Sequence, residues 1–81
     1  MSNLKSVVKQ VVEEYERGGD EYGSFTRYHY GYAIILEELD ELWDEVKTFQ
    51  GKEQMAHEAV QVAATAIRFV VDLCMEEGSH G

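Results

Sequence analysis

Apolar residues recur every three or four positions in three segments of the chain, which is the spacing of an amphipathic helix. In the first segment these residues are Leu4, Val7, Val8, Val11, Val12 and Tyr15. Ser2 or Asn3 is placed to cap the start of this helix, because a short polar side chain there accepts from free backbone N–H groups. The pair Gly18-Gly19 predicts its end.

The second segment predicts a helix from about Phe25 to Phe49, with Ser24 as its N-cap. Its expected core side consists of Tyr28, Tyr32, Ile35, Leu39, Leu42, Trp43 and Val46. Gly31 lies inside this helix at a cost of about 1 kcal/mol, which indicates a close approach by another helix.

The third segment runs from about Glu53 to Met75, after a break at Gln50-Gly51-Lys52. It is apolar around most of its circumference, so it is expected to be buried on several sides. Two partner helices from an 81-residue chain cannot cover such a helix, and a neighbouring subunit is expected to do so. The pattern therefore predicts an all-α protein, an antiparallel helical bundle of three main helices completed by oligomerisation as a dimer or tetramer.

This fold accounts for residues 1–75 as a single domain and leaves residues 76–81 as a flexible tail. The net charge of −9 argues against nucleic acid and anionic membrane surfaces as partners. No apolar run is long enough to cross a bilayer, and no signal peptide is recognisable. The one cysteine, Cys74, suits a reducing compartment and is expected to be a small core residue. We therefore expect a cytoplasmic protein.

The stretch Glu37–Glu45 is the most unusual part of the chain, because six of its nine residues are acidic. On a helix, Glu38, Glu41 and Glu45 form one stripe in which each carboxylate repels the next by a few tenths of a kcal/mol. A divalent cation would remove that repulsion. The alternative is an acidic face that only contacts solvent.

Tyr30 and Ile34 precede these carboxylates on the same angular sector of the helix. A phosphorylated ligand with an aromatic base would find both an apolar and a charged surface there. The alternative is that both residues are buried in a subunit contact.

A polar seam interrupts the apolar third helix in steps of three and four residues. Its members are Gln54, Glu58, Gln61, Thr65, Arg68 and Asp72. Glu58 and Gln61 repeat the spacing of the acidic stripe, and two antiparallel helices joined by a short turn would bring the two sets together. A solvated edge is the alternative. His29 and His57 have no second histidine or cysteine at ligand spacing, so we expect them to be surface or packing residues rather than zinc ligands, and we set aside His80 in the tail.

At Glu37-Glu38-Leu39-Asp40-Glu41, and again at Glu58-Ala59-Val60-Gln61, the chain resembles the MazG-like branch of the all-α nucleoside triphosphate pyrophosphohydrolases. The signature of that family is Glu-Glu-x-x-Glu, then Glu-x-x-Asp on the next helix. The sixteen-residue spacer from Leu42 to His57 suits this pattern. The resemblance covers roughly residues 24–73.

The resemblance implies a divalent cation, Mg²⁺ with Mn²⁺ as a possible substitute, and hydrolysis of a nucleoside triphosphate to the monophosphate and pyrophosphate. The matching ligand positions are Glu38, Glu41 and Glu58, and Glu37 matches the other acidic position of the motif. The fourth ligand position holds Gln61 instead of aspartate, and its neutral amide oxygen is a weaker ligand for a hard cation.

A metal-dependent nucleotide pyrophosphohydrolase is therefore the leading functional prediction. Glu37 or Glu41 would orient or deprotonate the attacking water. A nucleotide would place its base toward Tyr30 and Ile34. The basic residues predicted to bind the leaving pyrophosphate are Lys47, Lys52 and Arg68. Two alternatives remain: a MazG-like protein that binds nucleotide or metal without turnover, and a small acidic helical interaction module.

Overall fold

The computed structural model describes residues 2–75, which form three α-helices and one short π-helical turn. The elements are α1 (Asn3–Tyr22), α2 (Tyr28–Thr48), α3 (Lys52–Phe69) and the π-helical turn Val70–Cys74, which continues α3. The described residues contain no strand. The all-α class with three main helices is thus confirmed. The predicted tail and His80 lie outside the described residues.

Helix α1 begins as the sequence predicts and ends later. The Ser2 hydroxyl accepts from the backbone N–H of Leu4 at 3.1 Å and of Lys5 at 3.4 Å. The helix continues through Gly18-Gly19 to Tyr22, and Gly23 follows with a positive φ of 76°. Gly19 instead permits a close contact, because a Cβ there would lie 3.1 Å from Nη2 of Arg68. The predicted end at Gly18-Gly19 is therefore wrong.

The start of α2 also differs from the prediction. Arg27, not Ser24, occupies the N-cap position, and no side chain caps this end. At the other end Phe49 adopts the left-handed conformation with φ 52°, and Gly51 has φ 130°. These two residues reverse the chain, so the predicted break between the second and third helices is confirmed.

Helices α2 and α3 pack as an antiparallel pair. Gly31 near the start of α2 faces the end of α3, where a Cβ on Gly31 would lie 2.8 Å from Cδ2 of Phe69. Glu41, farther along α2, lies beside Glu58 near the start of α3. The close helix approach predicted at Gly31 is confirmed. Helix α3 also packs against α1, through the small apolar cluster of Val11, Val60 and Ala64.

The acidic stripe of α2 faces Glu58 of α3, as predicted, but most of the predicted core side of α2 is exposed. Its buried residues are Gly31 and Glu38, and Ile34, Ile35, Leu42 and Glu45 are half-buried. Five residues of the predicted core side are exposed: Tyr28, Tyr32, Leu39, Trp43 and Val46. The predicted core side of α2 is wrong for the single chain, because the polar seam of α3 faces the carboxylates and leaves the apolar side outward.

The interior is correspondingly small and polar. The buried apolar residues of the described chain are Val11, Phe25, Val60 and Ala64, and the buried polar ones are Glu38, Gln61, Thr65 and Arg68. Cys74 is exposed, so its expected place in the core is wrong. No helix in residues 2–75 is both long and apolar enough to cross a membrane.

Candidate metal centre

Three glutamates from two helices converge at the α2–α3 contact. Glu38 and Glu41 lie one turn apart on α2, and Glu58 approaches them from α3. One carboxylate oxygen from each residue lies within 4.8 Å of the oxygens of the other two. We call Glu38, Glu41 and Glu58 the carboxylate cluster. The convergence predicted for these three residues is therefore present in the structure.

The electrostatics of the cluster disfavour three negative charges. Burial, reinforced by the charges of Glu41 and Glu58, raises the pKa of Glu38 to about 7. Burial and the neighbouring Glu41 also raise the pKa of Glu58. A cation among these oxygens would reverse both effects, because it favours the ionised carboxylates.

The cluster forms part of a cleft of about 360 Å³, which we call the acidic cleft. All three helices contribute to it. Its lining residues are Arg17 and Glu21 from α1, Glu37, Glu38 and Glu41 from α2, and His57, Glu58 and Gln61 from α3. The sequence predicted the α2 and α3 carboxylates and Gln61 as site residues, but it predicted neither the contribution of α1 nor that of His57.

Several polar atoms around the cluster are buried without a hydrogen-bond partner. They are Oε1 of Glu45, Oε1 of Glu58 and Nε2 of Gln61. Gln61 is only 9% exposed. It also lies near Glu14, but Nε2 makes no hydrogen bond of normal geometry. Buried polar groups in proteins almost always have partners, so these atoms have a capacity for hydrogen bonds or ligands that the protein itself does not fill.

Arg17 is held in place by two acidic residues of the same helix, Glu14 and Glu21. Its Nε and Nη2 donate to Glu14 at 3.0 and 2.7 Å, and Nη1 donates to Glu21 at 2.8 Å. The guanidinium lowers the pKa of Glu14, and Glu14 raises the pKa of Arg17. The three-and-four spacing of Glu14, Arg17 and Glu21 is a helical ion-pair pattern. This spacing was the available sequence signal that α1 continues past Gly18-Gly19.

The residues predicted to bind substrate do not line the acidic cleft. Tyr30 is half exposed and meets Phe25 edge to face, with ring centroids 5.9 Å apart. Lys47 pairs with Asp44 at 3.5 Å on the exposed side of α2. Ile34 is half-buried, and Lys52 is exposed at the first position of α3. Glu37, by contrast, does line the cleft, as predicted.

Arg68 is buried in a different part of the molecule. Its guanidinium lies 4.2 Å from the centre of the Tyr15 ring, and Nη2 donates to the backbone oxygen of Tyr15. Its Nη1 lies 3.7 Å from Oδ2 of Asp72, which accepts from the backbone N–H of Phe25 at 2.8 Å. This network links α1, α3 and the α1–α2 connection. Arg68 therefore has a structural role and does not line the acidic cleft.

A second, larger cavity of about 1000 Å³ lies at the opposite end of the α2–α3 pair, between the α1–α2 connection and the π-helical turn. Arg27 and His29 lie along one side of it, and Val71 and Leu73 along the other. None of the carboxylates of the cluster borders it.

The fold and the site together define a three-helix protein with a carboxylate-lined cleft between its helices. Comparison with models of protein families, with curated proteins and with solved structures finds no match.

Proposed function

We propose that this protein is a divalent-metal-dependent nucleotide pyrophosphohydrolase of the MazG-like type, which converts a nucleoside triphosphate to the monophosphate and pyrophosphate. The observation that carries the proposal is the convergence of Glu38, Glu41 and Glu58 from two helices within 4.8 Å. The Glu-Glu-x-x-Glu motif lies on α2 and the Glu-x-x-Gln motif lies on α3. Acidic side chains of the two motifs lie close together, as a shared metal site requires.

The residues present fit a hard divalent cation. The cluster offers carboxylate oxygens, the ligand type that Mg²⁺ and Mn²⁺ prefer, and Oε1 of Glu58 is buried without a partner. Gln61, in the same cleft, can add a neutral amide oxygen. When bound, the cation neutralises phosphate charge and stabilises charge that develops on the transferred group.

The remaining acids of the cleft supply the proton chemistry of the proposed reaction. Glu37 is exposed and lines the cleft, so its carboxylate is free to accept a proton from water. Glu41 is the second candidate, because it is also exposed and borders both the cluster and the open part of the cleft. Either group would hold the attacking water and take its proton as the water oxygen bonds to the α-phosphorus. The bond from that phosphorus to the α–β bridging oxygen breaks, and this oxygen leaves as part of pyrophosphate.

The test is a panel of nucleoside triphosphates assayed for released pyrophosphate with Mg²⁺, with Mn²⁺ and with a chelator. Glu38→Ala and Glu58→Ala are expected to lower turnover at least about 100-fold, because each removes a ligand from the cluster. Asp40→Ala is the matched control, since Asp40 is an exposed acid of α2 that does not line the cleft. Equal activity in all three variants would contradict the proposal.

Gln61 supports a second candidate, a MazG-like protein that binds metal or nucleotide without turnover. A neutral amide at the fourth ligand position leaves the cation with one negative charge fewer than an aspartate would. Gln61→Asp is expected to tighten Mg²⁺ binding. Pyrophosphate release by Gln61→Asp but not by the wild type would establish the binding role. Absence of saturable Mg²⁺ binding in both would favour an acidic interaction module.

We also propose that the protein self-associates through α2. An apolar stripe, Tyr32, Leu36, Leu39, Trp43 and Val46, runs along its exposed side, and we call it the outer stripe. Its steps of four and three residues are those of a helix-pairing seam. The chain has a net charge of −9, so two copies repel each other over most of their surface. None of the residues in the outer stripe is charged, so the residues in contact there would repel each other little.

A further inference from the structure

Arg17 gives the acidic cleft a positive group that neither the acidic motif nor the third helix supplies. Among the arginines and lysines of residues 2–75, Arg17 is the one that lines this cleft. Its side chain is 53% exposed, so a ligand can reach it. Lys47 and Arg68 are engaged elsewhere, with Asp44 and with Tyr15 and Asp72 respectively.

A second donor in the same cleft makes no hydrogen bond of normal geometry. Nε2 of Gln61 is buried, Glu14 is its near neighbour, and the residue is 9% exposed. Arg17 and Gln61 come from different helices and border one cavity with the carboxylate cluster. The cleft therefore combines oxygens that attract a cation with N–H groups that attract an anion.

We propose that Arg17 and the amide N–H of Gln61 form the anion-binding half of the cleft and hold phosphate oxygens of a cation-bound polyphosphate. The inference rests on the proposed function, and it names which residues take the pyrophosphate in place of Lys47, Lys52 and Arg68. A free anion alone would meet five glutamates in the lining of the cleft, so the ligand must carry a divalent cation with it.

The contacts of Arg17 with Glu14 and Glu21 fit this role. They hold the guanidinium at the cleft before a ligand arrives, with donor–acceptor distances of 2.7 to 3.2 Å. Arg17 makes parallel hydrogen bonds to Glu14, whose side chain is only partly exposed, so this contact holds the guanidinium in place. The contact of Nη1 with Glu21 is an exposed pair within one helix, and such pairs are weak. Nη1 can therefore exchange Glu21 for a phosphate oxygen without loss of the fold.

Calorimetric titrations of the full chain test the inference, first with Mg²⁺ alone and then with inorganic pyrophosphate at saturating Mg²⁺. Arg17→Gln is expected to bind Mg²⁺ as tightly as the wild type or slightly more tightly, because it removes a positive charge from the cleft. Its affinity for pyrophosphate should fall roughly 10- to 100-fold. Arg17→Lys, which keeps the charge but loses the paired donors, should recover part of that loss.

Arg27→Gln is the matched control. It removes the same charge from a residue of the second cavity and should leave both affinities unchanged. Circular dichroism verifies that each variant is folded. Two results would overturn the inference and leave the proposed function standing. The first is a folded Arg17→Gln variant that binds pyrophosphate as tightly as the wild-type protein does. The second is a wild-type protein that binds Mg²⁺ but does not bind pyrophosphate. Absence of Mg²⁺ binding in the wild type overturns the proposed function and the inference with it.

Discussion

At the scale of single residues, Glu38 is the acid whose surroundings depart most from those of an ordinary surface glutamate. It is buried, and Glu41, Glu58 and Glu37 all add to the effect of burial on its pKa. A buried carboxylate beside other carboxylates is stable only when it is protonated or when a cation neutralises the group. Glu38 thus makes the stability of the fold depend on protons and, under the proposed function, on metal.

The pH dependence of stability is the first consequence. Folded Glu38 keeps its proton up to about pH 7, whereas an unfolded glutamate releases it near pH 4.5. The folded state therefore binds more protons across this interval, and its stability falls as the pH rises through it. Without divalent metal, we expect a loss of roughly 1 to 3 kcal/mol between about pH 5 and pH 8. Thermal unfolding in a pH series with a chelator measures it.

Glu38→Gln should remove most of the fall in stability between about pH 5 and pH 8, and the matched control Asp40→Asn should leave it unchanged. Glu58, whose pKa is also raised, would account for the part of the fall that remains in Glu38→Gln. Glu14 acts only at lower pH, because its pKa is lowered and its contribution is lost in acid. Mg²⁺ should stabilise the wild type more at pH 8 than at pH 5.5, since protons compete with the cation. An unchanged slope in Glu38→Gln would contradict this account.

At the scale of elements, Gly31 sets how closely α2 approaches the end of α3. A Cβ on Gly31 would lie 2.8 Å from Phe69, 3.0 Å from Phe25 and 3.1 Å from Leu73. All three neighbours are large side chains that pack around the helix backbone. The absence of a side chain at this position therefore lets α2, α3 and the α1–α2 connection meet.

Gly31→Ala tests this close approach. Alanine favours a helix by about 1 kcal/mol over glycine, but overpacking against three side chains costs about 1 to 3 kcal/mol. We expect a net destabilisation on the order of 1 kcal/mol in urea unfolding. The penalty should shrink in a Leu73→Ala background, because one of the three contacts is then removed. A variant more stable than the wild type would show that the helices separate at little cost.

At the scale of the whole molecule, the distribution of apolar surface is unusual for a single chain. Four apolar residues of the described part are buried, whereas Leu4, Val8 and Val12 on α1 and the outer stripe on α2 are exposed. Large exposed apolar patches often mark contact surfaces. Because the acidic side of α2 is used within the chain, the outer stripe is the side of α2 that we propose for contact with a second copy.

Sedimentation at micromolar concentration tests the assembly. The wild type should sediment as a species at least twice the 9.3 kDa chain mass. Leu39→Glu should shift it toward the monomer, because it places a charge in the middle of an apolar contact. Leu39 is 47% exposed in the single chain, so the variant should keep its helical circular dichroism. Gln54→Glu adds the same charge at an exposed position of α3 and should leave the assembly intact. A folded wild-type monomer would contradict the proposal.

Local sequence determined the number of main helices, some of their ends and the spacing of Glu38 and Glu41 within the carboxylate cluster. The Ser2 cap, the turn at Phe49 and Gly51, and the placement of Glu38 and Glu41 one turn apart all follow from interactions among near neighbours in the chain. The short α2–α3 connection then makes an antiparallel pair the simple solution, which is why Glu58 could be predicted to meet the other two.

Tertiary packing decided which side of each helix faces inward. Helical periodicity separates the apolar side of α2 from its acidic side, but it does not say whether the apolar side is covered within the chain. Packing turned the acidic side inward, left Leu39 and Trp43 exposed, brought Arg17 to the acidic cleft and directed Arg68 to Tyr15 and Asp72. These outcomes depend on contacts between residues up to 53 positions apart, such as Tyr15 and Arg68, and no local pattern in the sequence encodes the rotation of one helix against another.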